Sequence, residues 1–98
     1  MLVTTEPAEA IGSAKMSFSA ALAMAKAGAK VARSGWNGKG MWVRYVDLYA
    51  DKQFAVTEKP GSEGTWLPFL AMKTVDGKLV PWLASQTDLL AEDWGVAP

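Results

Sequence analysis

The segment Arg33-Ser34-Gly35-Trp36-Asn37-Gly38-Lys39-Gly40, followed by Met41-Trp42-Val43-Arg44-Tyr45-Val46-Asp47-Leu48-Tyr49, sets the organisation of this chain. The second half is aromatic and β-branched and reads as a strand. Lys30-Val31-Ala32-Arg33 alternates ahead of it, so the glycine-rich stretch joins two strands of a hairpin or near-hairpin. Glycine admits left-handed backbone and lets another group come close. A bare turn needs only an Asn-Gly or Asp-Gly pair. Trp36, Asn37 and the flanking Arg33 and Lys39 exceed that need, and they suit a pocket wall for an aromatic, negatively charged small molecule.

Upstream, Ser17 offers an N-cap, and Phe18, Ala21, Leu22 and Ala25 recur at helical spacing until Gly28 supplies a stop. This predicts a helix of about three turns whose thin alanine stripe lies close against a sheet. Downstream, Asp51 to Gly64 is polar, with Pro60-Gly61 as a turn mark and the short run Phe54-Ala55-Val56 inside it. Trp66, Leu67, Phe69, Leu70 and Met72 return to a strand pattern, Asp76-Gly77 signals a hairpin turn, and Leu79-Val80 follows. Pro81 ends that ladder or puts its strand at an edge. Ser85 and Asp88 have the spacing of a capping box for a short helix with Leu89, Leu90 and Ala91 on its apolar face. Trp94-Gly95-Val96 reads as a last strand. The expected class is α+β: a small antiparallel sheet with one N-terminal helix packed on it and a short C-terminal helix. Residues 1–15 show no sustained period and read as a flexible N-terminal extension, leaving 16–98 as a single ligand-binding domain.

Ninety-eight residues, half of them apolar, make one domain with a small core that association would help. Formal charge balances at zero, which argues against a nucleic-acid partner, since general polyanion binders carry a basic excess. The charges are nevertheless segregated. Lys15, Lys26, Lys30, Arg33, Lys39 and Arg44 fall in a window without acids between Glu9 and Asp47, whereas Asp88, Glu92 and Asp93 follow Lys78 with no base. Cysteine and histidine are absent, which excludes disulfides and Ser-His or Cys-His nucleophile pairs and disfavours a transition-metal site. No apolar run approaches the roughly 18 residues of a membrane span, and a cytoplasmic protein with no membrane partner is expected.

Five tryptophans stand in the chain. Trp42, Trp66 and Trp94 lie in strand-like runs and read as core or interface anchors. Trp36 in its loop and Trp82 after a proline are open to two readings, packing or stacking on a planar ligand. The loop spacing, G-x-x-G-x-G, fits neither nucleotide fingerprint. Arg33 has the fork to hold a phosphate, and Asn37 the amide to read a base edge or hold the turn. Asp88, Glu92 and Asp93 read as a helix cap and a solvated face, while Gln86 and Thr87 place donors and acceptors beside Trp82. Ser85 and Thr87 have no histidine to activate them. No catalytic set and no cofactor are expected, so the residues favour binding without turnover. Two other classes stay open: a structural or interaction module whose tryptophans form subunit contacts, and a carbohydrate- or single-strand-binding module.

Two strings carry a resemblance. Val31 to Met41, with Met72-Lys73-Thr74, and Val80-Pro81-Trp82-Leu83-Ala84-Ser85-Gln86-Thr87-Asp88-Leu89-Leu90-Ala91-Glu92-Asp93-Trp94 resemble the phage and prophage Thoeris anti-defence proteins of the second type, from Met16 to about Val96. The resemblance implies a small α+β protomer in a homotetramer, a dimer of dimers, acting in the cytoplasm of the infected bacterial host. It implies a sponge that sequesters a cyclic ADP-ribose-type signalling nucleotide without cleaving it; some relatives are thought to hold cyclic oligonucleotides as well. By the same resemblance Trp36 and Trp82 close on the adenine from two sides. Asn37, Gln86, Thr87 and Asp88 bond to base and ribose, and Arg33 or Lys73 meets the diphosphate. Asp47 to Leu70 matches no string of that family.

Overall fold

The computed structural model describes residues 15–51, 56, 59 and 61–98. The predicted extension 1–15, apart from Lys15, and the pair Phe54-Ala55 lie outside the described residues. The elements are α1 (Phe18–Lys26), β1 (Val31–Arg33), β2 (Trp42–Val46), β3 (Phe69–Lys73), β4 (Leu79–Pro81), α2 (Gln86–Leu90) and β5 (Trp94–Val96). The five strands form one antiparallel sheet in the order β4-β3-β2-β1-β5. The predicted α+β class, with its order of helices and strands, is the one observed.

Register decides which side chains share a face. Val31 pairs with Val43 and with Val96, and Val43 pairs with Met72, so these residues point to one side. Helix α1 covers that side with Ala21 and Ala25, which are buried beside Val31, Val43 and Trp94. Alanine at both positions lets the helix lie close to the strands, as its thin stripe predicts. Ser17 caps it, its hydroxyl accepting from the Ala20 N–H at 3.2 Å, and the Gly28 N–H closes on the Ala25 carbonyl. The nine residues make about two and a half turns.

β5 returns to the sheet beside β1 rather than after β4, and Met16 bridges its outer edge through reciprocal bonds with Trp94, 2.9 and 3.0 Å. β4 is the opposite edge, where Pro81, lacking an N–H, costs no ladder bond. The ladder continues beyond it with the Trp82 N–H on the Leu70 carbonyl at 2.9 Å, so Trp82 faces the α1 side. The strand predicted over Met41 to Tyr49 is shorter than expected, because a turn at 48–50 begins where Asp47 accepts the Tyr49 and Asp51 N–H groups.

On the apolar face of α2, Leu89 and Leu90 are exposed while Ala91 packs against the core cluster. Trp66, read as a core or interface anchor, is not part of the core: it is 53 % exposed, in a segment that precedes β3. Trp94 does anchor the core, with none of its surface exposed. Its indole N–H, which would be costly if left unpaired there, donates to the Asp88 carbonyl at 2.9 Å. The other fully buried side chains are small, Val31, Val43 and Val46 being the largest after it. Trp94→Ala should therefore cost about 3–5 kcal/mol, read as the drop in unfolding free energy in a urea titration.

Candidate functional site

Trp94 is the floor of an aromatic cluster. Its ring lies 5.2 Å from Phe18, 5.3 Å from Trp36 and 5.9 Å from Trp82, centroid to centroid. Trp36 and Trp82 meet each other at 6.4 Å with planes at 68°. Both keep part of their surface open. The two-sided clamp on adenine does not form within one chain, because a base needs parallel rings separated by about two stacking distances, and these touch edge to face. They form a corner instead, two adjoining aromatic walls over a buried third ring.

A charged network fixes the loop that carries Trp36. Arg33 at the end of β1 directs its Nε to Asp93 Oδ1 at 2.8 Å and its Nη1 to Asp88 Oδ1 at 2.9 Å. Asp93 Oδ2 accepts the Gly35 N–H at 2.8 Å and the Ser34 hydroxyl at 3.4 Å, and the Asp93 carbonyl accepts the Ser34 N–H at 3.0 Å. A Cβ on Gly35 would stand 2.6 Å from Asp93 Oδ2, so glycine is needed there for close approach. Gly40, at φ 79°, supplies the left-handed turn into β2. Asp88 Oδ1 also accepts the Trp36 indole N–H at 3.1 Å. The predicted capping box is present, with Ser85 Oγ on the Asp88 N–H at 3.0 Å and Asp88 Oδ2 3.5 Å from the Ser85 N–H.

The network shifts the acids' titration. Hydrogen bonds from Arg33 hold the Asp93 carboxyl below its ordinary range against partial burial, with help from the Gly35 N–H. For Asp88, burial pushes the carboxyl up, but hydrogen bonds from Trp36, Arg33 and Ser85 together outweigh it and leave the group lowered. Bonds from Asp93 and then Asp88 raise Arg33 in turn.

Seven of the eight site residues read from the sequence belong to this region. Trp36 and Trp82 form the corner; Asn37, Gln86 and Thr87 are exposed, and the Trp36–Asp88 bond draws their two segments together. Arg33 and Asp88 lie behind the corner, bonded to each other. Lys73 lies elsewhere. Paired with Trp42, it points to the sheet face opposite α1, where its ammonium is 5.9 Å from the Trp42 ring and donates to the Gly40 carbonyl at 2.6 Å. Lys30 stands 4.7 Å over the same ring, beside a hollow of about 420 Å³ lined in part by Ala32, Gly40, Trp42 and Lys73. Asp93 is the residue that the sequence reading missed as a site member. Its cue was the unmatched acids at the C-terminal end set against a basic glycine loop, a pairing that becomes specific only once β5 is placed next to β1. Among the described residues no group of three or more acids is placed to hold a metal, and no helix is long and apolar enough to cross a membrane.

The geometry is that of a small α+β domain presenting an aromatic corner, a polar rim and a pinned glycine loop. Residues 16–97 match the model of the Thoeris anti-defense 2-like domain, and the chain belongs to that family of anti-defence proteins. It is 42 % identical over 85 residues to the protein named Thoeris anti-defense 2 of Bacillus phage SP01, an alignment covering 84 % of this chain and 94 % of the relative.

Acid should loosen the pinned loop. The lowered carboxyls contribute stability that is fully present above their unfolded value of about 3.9 and is lost as pH falls through the lower folded values. The urea midpoint should fall between about pH 5 and pH 2, and the double variant Asp88→Asn, Asp93→Asn should be less stable at pH 7 with a shallower fall across that window.

Proposed function

We propose that this protein is a phage anti-defence sponge: it binds a cyclic ADP-ribose-type signalling nucleotide and withholds it from the Thoeris effector in the cytoplasm of the infected host, without cleaving it. The observation that carries the reading is the corner of Trp36 and Trp82 beside exposed Asn37, Gln86 and Thr87. A purine laid on one indole with its edge toward the other gains stacking on one side and an edge contact on the second, roughly 1–3 kcal/mol per stacked base. The amide and hydroxyl groups at the rim have the donors and acceptors that a base edge and ribose require. Family membership supports the anti-defence role, and sequestration is the mode that an aromatic binding corner without a nucleophile pair would serve.

The protomer works as a homotetramer, a dimer of dimers. Leu67, Leu83 and Leu90 are 78 %, 93 % and 75 % exposed and Trp66 is half exposed, an apolar surface that a protomer with so small a core would gain by covering. These same residues favour the second reading, a phage interaction module whose tryptophans form subunit contacts and which has no nucleotide affinity. Titration calorimetry with the cyclic nucleotide separates the two. Binding, with the intact nucleotide recovered by chromatography after heat release, is the expected outcome; no binding, or a hydrolysed ligand, contradicts the sponge. Trp36→Ala should weaken binding by at least about 1 kcal/mol in a folded protein.

A further inference from the structure

We infer that Arg33, Asp88 and Asp93 act as one positioning unit for the ligand corner, and that Arg33 holds the loop in place instead of contacting the nucleotide's diphosphate. The inference rests on the corner of Trp36 and Trp82 being the ligand site. Three observations lead to it. First, each of the three nitrogens of Arg33 already faces a carboxylate, which engages three of its five N–H donors. Nε and Nη1 make short bonds to Asp93 and Asp88, and Nη2 lies 3.5 Å from Asp93 Oδ2. Second, one guanidinium set against two carboxylates that remain ionised sums to a net negative charge, which repels a diphosphate. Third, each carboxylate also grips a part of the binding loop: Asp93 holds the Gly35 N–H and Asp88 the Trp36 indole N–H. Arg33 is the link between them, so the plane of the Trp36 ring depends on all three side chains.

Positioning and direct contact give opposite signs for one substitution. Asp93→Asn removes a negative charge from beside the site. If local charge governed the nucleotide's affinity, this variant would bind more tightly. Under positioning it frees Gly35 and Arg33, and affinity should fall about tenfold, the loss of one charged hydrogen bond. Arg33→Lys keeps the cation but loses the fork that spans both acids, and should weaken binding similarly. The slope of log affinity against log salt concentration should stay that of the parent protein. The experiment measures cyclic ADP-ribose affinity by calorimetry at three salt concentrations for the parent, Asp93→Asn and Arg33→Lys. In parallel, 5-fluorotryptophan spectra follow the five indoles, assigned by single Trp→Phe substitutions.

The Trp36 resonance should move in both variants, while those of Trp42 and Trp66 stay in place and show that the fold is intact. Gly35→Ala, whose methyl collides with Asp93, should reproduce the Trp36 shift without any change of charge. Tighter binding by Asp93→Asn, or full affinity in Arg33→Lys, would overturn the inference. A Trp36 resonance indifferent to all three variants would overturn it too. Should the parent protein bind no nucleotide, the sponge reading fails by itself, and the fluorine spectra still decide whether the unit positions Trp36.

Discussion

The arrangement turns on a single guanidinium placed between two carboxylates. Arg33 ends β1, and its partners stand 55 and 60 residues further along, in α2 and at the entry to β5. For Arg33 to reach both, the chain after the β3–β4 hairpin must come back across the sheet and pair beside β1, as β5 does. That return carries Trp94 beneath Trp36 and Trp82. It also lets the Asp88 carbonyl satisfy the Trp94 indole, so one residue serves the core through its backbone and the loop through its side chain. The pairs are partly buried, with Arg33 and Asp88 side chains 16 % and 15 % exposed. A lone charge there would be poorly solvated, so the pairing gives specificity to the docking of the C-terminal segment as much as it gives stability.

Much of the fold is legible in the sequence because its signals are local. Ser17 and Gly28 bracket α1, Asp76-Gly77 turns β3 into β4, and Ser85 with Asp88 writes out the start of α2; each is chemistry within a few residues of its effect. What is not legible depends on distance. Leu89 and Leu90 read as part of a helix's apolar face and yet are exposed, while the neighbouring Ala91 packs on the core. Trp66 has the composition of a strand and lies outside the ladder.

The site divides along the same line. Trp36 and Trp82 can be picked out by their contexts, a glycine loop and a strand end. Their mutual angle is set by Trp94 beneath them, and nothing in either local context encodes it. Lys73 belongs to a familiar string yet faces the far side of the sheet, a consequence of the two-residue period of β3. Asp93 looks like a solvated acid until β5 is paired, and then becomes the anchor of the loop. Gly35 and Gly40 share one motif but answer different needs, close approach in the first case and a left-handed turn in the second. A glycine count cannot separate those roles.

The energetic logic is that of a prearranged surface. The rings are braced on one another and the loop is pinned at Gly35 by Asp93 and at the Gly40 carbonyl by Lys73; under the proposed function, a ligand meets walls already set and loses less to ordering them. The most direct measurement is a crystal structure of the protein with a cyclic ADP-ribose-type nucleotide. The adenine is expected against Trp36 and Trp82, with Asn37 and Thr87 at its polar edge and Arg33 still seated on Asp88 and Asp93. A nucleotide bound away from both rings, or an Arg33 that leaves its carboxylates for the phosphates, would contradict it.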